Sequence, residues 1–594
     1  MKFALERPQV LALVEAHPRL AGLQDQLRFG TRIELQHHQL SLDELAFVGS
    51  LYARSPAKGE DGGGAQAQLC TLLAALQRDS QRFGPQDDLE VLLPALVGEL
   101  ITDVQRGWLF QANVAGKPLA WVVTRLDYVA ASSEESGKVL LELKAHAKLG
   151  LVTQLLRITE AEMRGRTVTE ILAAKGLLKE TPALLAAYDA TAQRYVDWRG
   201  RVGAQFSASG TGFYAEDPSA SHRDNDWTRK DVVVLSASGA PARLVNDEGI
   251  LPPRASALDA PGDVLGAYLK RAGKSNRYQS EDEVQALQAR LAACNAELAA
   301  AGEAALFTQL PAHGYVLCFH LELHHHVWVH VDDLSPYVYQ PALKGKLVLP
   351  AEQTELIDIL TAEMDVLMDD IVAGKSGGTT VLCAGPPGVG KTLTAEVYAE
   401  IIGRPLYRVH SGQLGLNVKE MEAALKDALT RAQRWGAVML IDEADVYIKK
   451  RDDNLAMNAV VGVFLRVLEY FNGLLFLTTN RIDDIDEAIV SRCIALIRYH
   501  APDEAARQRI WQVMAGQFAL ELDDALCARL AALYPQASGR DIKGLAKLVA
   551  KYCQHKAVAP TLPVFRRCAV FRGLDAADGA APDFVAPGAA AAVA

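Results

Sequence analysis

The sequence predicts an α/β fold: a parallel-sheet, phosphate-loop core with a helical lid, preceded by a mixed α+β N-terminal region. Three observations carry this. The run GPPGVGKT at 385–392 follows the apolar stretch TTVLCA. The apolar run AVML leads into IDEAD at 441–445, ending in carboxylates. From about 347 to 500 such runs alternate with helical stretches, which implies a parallel sheet covered on both faces.

At 594 residues the chain is too long for one core, so several domains are expected. Half of its residues are hydrophobic and 22% are charged, values that exclude the disordered and membrane classes. The net charge of −11 argues against a general nucleic-acid coat and leaves room for a local basic patch. The eight cysteines include no C-x-x-C pair, so neither a disulfide framework nor a cysteine zinc site is suggested. The start MKFALERPQV lacks a secretory pattern, and no uncharged run reaches the ~18 residues of a membrane helix. A cytoplasmic protein without membrane partners is expected.

Residues 1–107 read as a helical region, with a flexible break at GEDGGGAQ. An α+β domain for substrate or partner recognition is expected over 108–345. It opens with a β meander, WLFQANVAG, PLAWVVTRLDYVA and VLLELKAHA, and helical spacing returns from about 150 to 198. SASGTGFYAEDPSASHRDND reads as a loop, DVVVLSAS and PARLVND as a strand pair, and GILPPRASALDAPGD as a linker. In SEDEVQALQARLAACNAEL the positions Val284, Leu287, Leu291, Cys294 and Leu298 give a helix seam packed on its own domain. YVLCFHLELHHHVWVHVDD reads as one strand with His324, His326 and His330 on a single face. A zinc site there competes with a polar strand face, and the lack of any known zinc spacing favours the latter. The core spans 346–500, the helical lid 501–556, and a partly disordered tail 557–594.

Within GPPGVGKT, Gly385, Gly388 and Gly390 let backbone N–H groups wrap phosphates at a helix N-terminus; Pro386, Pro387, Val389 and Leu393 complete the segment. Lys391 neutralises phosphate charge, and Thr392 offers a hydroxyl to Mg²⁺. Asp442 ends its strand where open α/β sheets place ligands and can hold the Mg²⁺, while Glu443 can take a proton from the attacking water. Asn480, ending LFLTTN, can position that water or simply form a turn. ATP and Mg²⁺ are the cofactors expected.

Over about 347–556 these pieces resemble the AAA-type subgroup of the AAA+ ATPase superfamily, most closely a group of bacterial and fungal AAA ATPases of poorly defined substrate. The resemblance is carried by NAVVGVFLRVLEYFNGLLFLTTNRIDDIDEAIVSRC and extends upstream through HVWVHVDDLSPY and LVLPAEQTELIDIL. It implies a homo-oligomeric ring, normally a hexamer, with nucleotide lodged between neighbours. Arg492 in AIVSRC matches the arginine finger that reaches a neighbour's γ-phosphate, the alternative being a structural salt bridge. Arg540 in SGRDIKGLAKLV matches a lid arginine that senses phosphate, although AAA-type members often carry a small residue there.

Threading members of the family project an aromatic residue from the loop after the second core strand. Here HSGQLGLNVKEME has none, and only Leu414 or Leu416 remain as weak grips. Lys449, Lys450 and Arg451 form a basic tip that could meet nucleic-acid phosphates, or stand as a solvated charge run. A remodeller of a protein client is therefore the first expectation. A nucleic-acid-acting ATPase and a nucleotide-gated assembly scaffold are the rivals.

Overall fold

The computed structural model describes residues 2–27, 32–54, 62–78, 82–113, 116–133, 135–148, 150–215, 231–236, 239–251, 281–362, 378–415, 417–451, 455–469 and 471–577. The chain divides into two compact units, the first ending at Pro336 and the second running from Tyr337 and including Gly203–Gln205.

The first unit departs from the expected helical start. Lys2–Glu6 pairs antiparallel with Arg32–Gln36, burying Phe3, Leu5, Ile33 and Leu35 beneath the helices Arg7–Ala16 and Leu42–Arg54. These five-residue alternations are too short to stand out beside the longer helical patterns. The last three glycines of GEDGGGAQ open a helix, Gly62–Arg78, while residues 55–61 lie outside the described set.

The expected meander forms a five-stranded sheet. Trp108–Ala112, Pro118–Val129, Lys138–Ala147 and Gly150–Thr159 succeed one another antiparallel, and Leu177–Lys179 joins the free side of the first. Gly150–Thr159 corrects the helical reading of that stretch. It is an edge strand with Leu151 and Leu155 exposed, so the two-residue alternation is blurred and its apolar positions imitate helical spacing. Helix Pro182–Arg199 follows.

The histidine-rich segment is a hairpin rather than one strand: Tyr315–His320 pairs with His325–His330, and His324 at φ 57° makes the turn. His320 and His326 bond to Leu235 O and Asp247, respectively. No group of three or more potential ligands converges for a metal among the described residues. The loop expected from 207 instead begins with two strands, Gln205–Ala208 and Thr211–Ala215, which lie apart in one seven-stranded sheet. Val232–Val234 and Ala242–Asn246 are strands of the same seven-stranded sheet, separated by three others rather than paired. Helix Glu281–Ala300 packs Leu287, Leu291, Cys294 and Leu298 on this unit's core, as its seam predicts. Val284's side chain and most of the expected linker, 252–280, lie outside the described residues.

In the second unit the expected alternation yields five core strands: β1 (Thr379–Ala384), β2 (Leu406–His410), β3 (Val438–Asp442), β4 (Leu474–Thr479) and β5 (Ala495–Arg498). They are parallel in the order β2-β3-β4-β1-β5. The three central strands are buried almost throughout, as a sheet covered on both faces requires. Helices α1 (Lys391–Ile402) and α2 (Val418–Trp435) follow β1 and precede β3.

Past β5, Tyr499 is held on the sheet by its N–H to Ala384 O and on α1 by its hydroxyl to Thr394. Only His500 and Ala501 separate it from Pro502, whose carbonyl accepts from Arg507, and from Asp503, which caps helix α3 (Glu504–Gln517). Helices α4 (Asp524–Leu533) and α5 (Gly539–Lys556) complete the lid. The tail expected from 557 is ordered as far as 577. Helix α6 (Leu562–Val570) buries Phe565, Cys568 and Ala569 against the lid, and residues 578–594 lie outside the described set.

No helix among the described residues is long and apolar enough to cross a membrane. The eight cysteines are all free.

Candidate functional site

The site collects at the carboxyl ends of β1, β3 and β4, where a parallel sheet offers its ligand crevice. The glycine loop fills the gap between β1 and α1. Gly388 (φ 82°) and Gly390 (φ 105°) take left-handed conformations, and Gly390 caps α1. Gly385 is needed for a different reason: a β-carbon there would lie 2.6 Å from Tyr499 O. At Gly388 one would lie 2.7 Å from Ser538 Oγ and 3.0 Å from Arg540 Cβ, so the lid rests directly on this loop. Pro386, Pro387 and Val389 form the loop's turn, and Leu393, in the first turn of α1, is exposed.

Lys391 is buried, and its ammonium has three acceptors: Gly385 O at 2.8 Å, Pro386 O at 2.7 Å and Asn480 Oδ1 at 2.9 Å. Burial lowers its pKa, opposed by Asp442 and Asp445, while the charge of Arg540 pushes the same way as burial. Asn480 thus sits against the loop lysine.

Asp442 is bonded as fully as Lys391. Its Oδ1 accepts from Thr392 Oγ1 at 3.0 Å and Thr478 Oγ1 at 2.6 Å, and its Oδ2 from Arg408 Nη2 at 2.5 Å. Burial alone would raise its pKa; the Thr478 bond, the Arg408 charge and the Thr392 hydroxyl outweigh it, so the carboxyl is held low and ionised. Thr392 and Asp442 together offer the oxygen ligands a hard cation takes when phosphates and waters complete its shell, so the pair fits Mg²⁺.

Glu443 has a positive φ of 55° and its N–H donates to Thr478 Oγ1 at 3.0 Å. A left-handed conformation costs a non-glycine residue roughly 1–2 kcal/mol. Here it turns the chain so that Glu443 is exposed beside buried Asp442 instead of continuing the alternation of β3. Strain of this kind clusters at functional sites.

Arg540 reaches the site through the lid. Its N–H donates to Gly388 O at 3.1 Å. Arg492 does not reach it. Its side chain bonds Ala488 O at 3.2 Å and lies 3.9 Å from Glu469, and it is exposed, so the chain presents this guanidinium outward.

Three contributors were not foreseen. Asp445 accepts from Thr479 Oγ1 and from Asn480 N, fixing the end of β4; its signal was present as the last carboxylate of IDEAD. Arg408, a lone cation in the otherwise apolar LYRV, turns inward to Asp442. Tyr499 left no signal, because its role depends on a backbone approach.

The expected grip at Leu414 does not hold. Leu414 is only 2% exposed and is a core residue, and Gly415 O accepts from Tyr447 OH at 3.0 Å. Leu416 lies outside the described residues. In the basic tip, Lys450 bonds Asp483 O and Arg451 pairs with Asp486.

Comparison with known proteins matches this geometry. The family model for "ATPase family associated with various cellular activities (AAA)" matches residues 381–500. The chain carries an AAA ATPase domain. The chain is 26% identical over 250 residues to the "ATPase family AAA domain-containing protein 3A homolog" of Drosophila melanogaster, covering 38% of this chain and 41% of that protein. It is 30% identical over 131 residues to the "Uncharacterized AAA family ATPase y4kL" of Sinorhizobium fredii, 21% of this chain and 40% of that one. It is 30% identical over 181 residues to the "ATP-dependent zinc metalloprotease FtsH 3" of Sphaerobacter thermophilus, 27% and 35% respectively. The chain thus spans about two fifths or less of the length of these relatives. Among solved structures, a chain of an E. coli MS115-1 HORMA:CdnC:Trip13 complex aligns at TM-score 0.32 and 17% identity, over 39% of this chain and 91% of that one.

Proposed function

We propose that this AAA domain hydrolyses Mg-ATP within a homo-oligomeric ring, a hexamer by family resemblance, and that the ring remodels or translocates a protein client in the cytoplasm. In this reading the 385–393 loop and Arg540 hold the nucleotide, Thr392 and Asp442 hold Mg²⁺, Glu443 accepts the proton of the attacking water and Asn480 orients that water. Arg492 completes the site of a neighbouring subunit, and residues 108–345 recognise the client.

One observation supports the ring: Lys391, Thr392, Asp442, Asn480 and the Arg540 backbone bond to the loop or to one another, whereas Arg492 is exposed and bonds Ala488 O beside Glu469. An arginine that stabilises transition-state charge from a neighbour must be presented in this way. The buried Leu414 and the absence of an aromatic in HSGQLGLNVKEME argue against pulling on an extended chain with intercalating rings. Against a nucleic-acid substrate, Lys450 and Arg451 are engaged by the 483–486 segment. One relative is named a protease, which fits an AAA domain coupled to work on polypeptides.

The test is the ATPase rate with single-stranded DNA, RNA, unfolded protein and folded protein. Stimulation by protein supports the reading; strong stimulation by nucleic acid alone rejects it, and ATP-dependent assembly with no stimulation favours a scaffold.

A further inference from the structure

Arg408 is not required by the chemistry above, yet it occupies the carboxylate that the chemistry needs. Both hydroxyl contacts to Asp442, from Thr392 and Thr478, fall on Oδ1. Oδ2 is left for a cation, and Arg408 Nη2 lies 2.5 Å from it. We propose that Arg408 is a positioning residue that competes with Mg²⁺ for Asp442 and withdraws toward Glu396 when the metal is bound.

The geometry supplies both seats. Arg408 Nη1 lies 3.7 Å from Glu396 Oε1, an ion-pair distance too long for a hydrogen bond. The guanidinium is also incompletely bonded where it stands, since its Nε is buried without a hydrogen-bond partner among the described residues. Moving to Glu396 on α1 therefore forfeits one strong contact and can tighten an ion pair already in place. Two cations beside one buried oxygen repel each other, so metal binding supplies the drive for the move. In the absence of metal, Arg408 compensates a buried carboxylate that would otherwise be costly to keep charged.

The proposal rests on Asp442 holding the metal, and the experiment separates the two. Binding of a fluorescent ATP analogue to the full chain is followed against Mg²⁺ concentration and repeated in EDTA. Arg408→Ala is expected to lower the half-saturating Mg²⁺ by roughly tenfold, the effect of removing a like charge at close range. Arg408→Gln keeps a donor for Oδ2 without the charge; it should shift the midpoint in the same direction and substitutes for Arg408→Ala if that variant does not fold. Glu396→Gln removes the second seat and should raise the midpoint severalfold. If Asp442→Asn leaves the midpoint unmoved, the metal-holding reading of Asp442 fails. If Asp442→Asn raises it while both Arg408 variants leave it unchanged or raise it, Arg408 is a structural support and the competition is overturned.

Discussion

The main-chain N–H of Arg540 donates to the carbonyl of Gly388 at 3.1 Å, so the lid is fastened to the phosphate loop by backbone rather than by a side chain. Replacing the Arg540 side chain leaves that bond in place, whereas adding a methyl at Gly388 drives into Ser538 and Arg540 and forces a left-handed alanine. Gly388→Ala is therefore expected to weaken ATP binding by at least about tenfold and to lower stability by roughly 1–2 kcal/mol. Arg540→Ala should alter nucleotide affinity while leaving the melting temperature nearly unchanged. Isothermal titration and thermal melts on both variants check the contrast.

Glu443 combines a proposed proton acceptor with a strained backbone. Glu443→Gln should bind ATP normally and lose turnover by a factor of about 10² or more, the usual share of a general base. Glu443→Gly should lose turnover equally but melt at a higher temperature, since glycine relieves the left-handed strain. An active Gln variant would remove Glu443 from its proposed role.

If Arg492 completes a neighbour's site as proposed, Arg492→Ala and Lys391→Ala subunits should each be inactive alone. Mixed, they should recover part of the rate wherever an intact arginine meets an intact loop. Titrating one variant into the other while measuring phosphate release reads this directly, and the absence of recovery at every ratio would rule out a shared site.

Acid should weaken the first unit before carboxylates are titrated. Burial depresses His330 to about 4 and His313 to about 3, so both stay neutral in the native state at pH values where an unfolded histidine, near 6.5, is protonated. The unfolded chain then binds more protons, and stability that is complete above about pH 6.5 falls as the pH drops toward 4 and 3. His313→Gln should flatten this slope by about 1.4 kcal/mol per pH unit. Urea unfolding between pH 7 and 4, followed by tryptophan fluorescence, measures it.

The second unit was largely legible because its information is local. Five apolar runs, the glycine loop and IDEAD each announce one strand end, and all of them meet. The first unit was less so. The Gly150–Thr159 strand is fixed by ten residue pairs with its neighbour rather than by its own alternation, and the histidine hairpin hides a turn at His324 inside a continuous β-rich run. Arg408 and Tyr499 were missed because each acts across the sheet on a residue more than thirty positions away. Leu414 was misread because an apolar residue in a loop looks the same in sequence whether it grips a substrate or fills a core.

The short link after β5 has a mechanical consequence. Tyr499 is clamped to the sheet, and Pro502 with Asp503 belongs to the lid, so any rotation of one body against the other is concentrated in the dihedral angles of His500 and Ala501. A pivot that short transmits torque with little slack. How far the lid can turn on the sheet is then bounded by how far those two residues can twist.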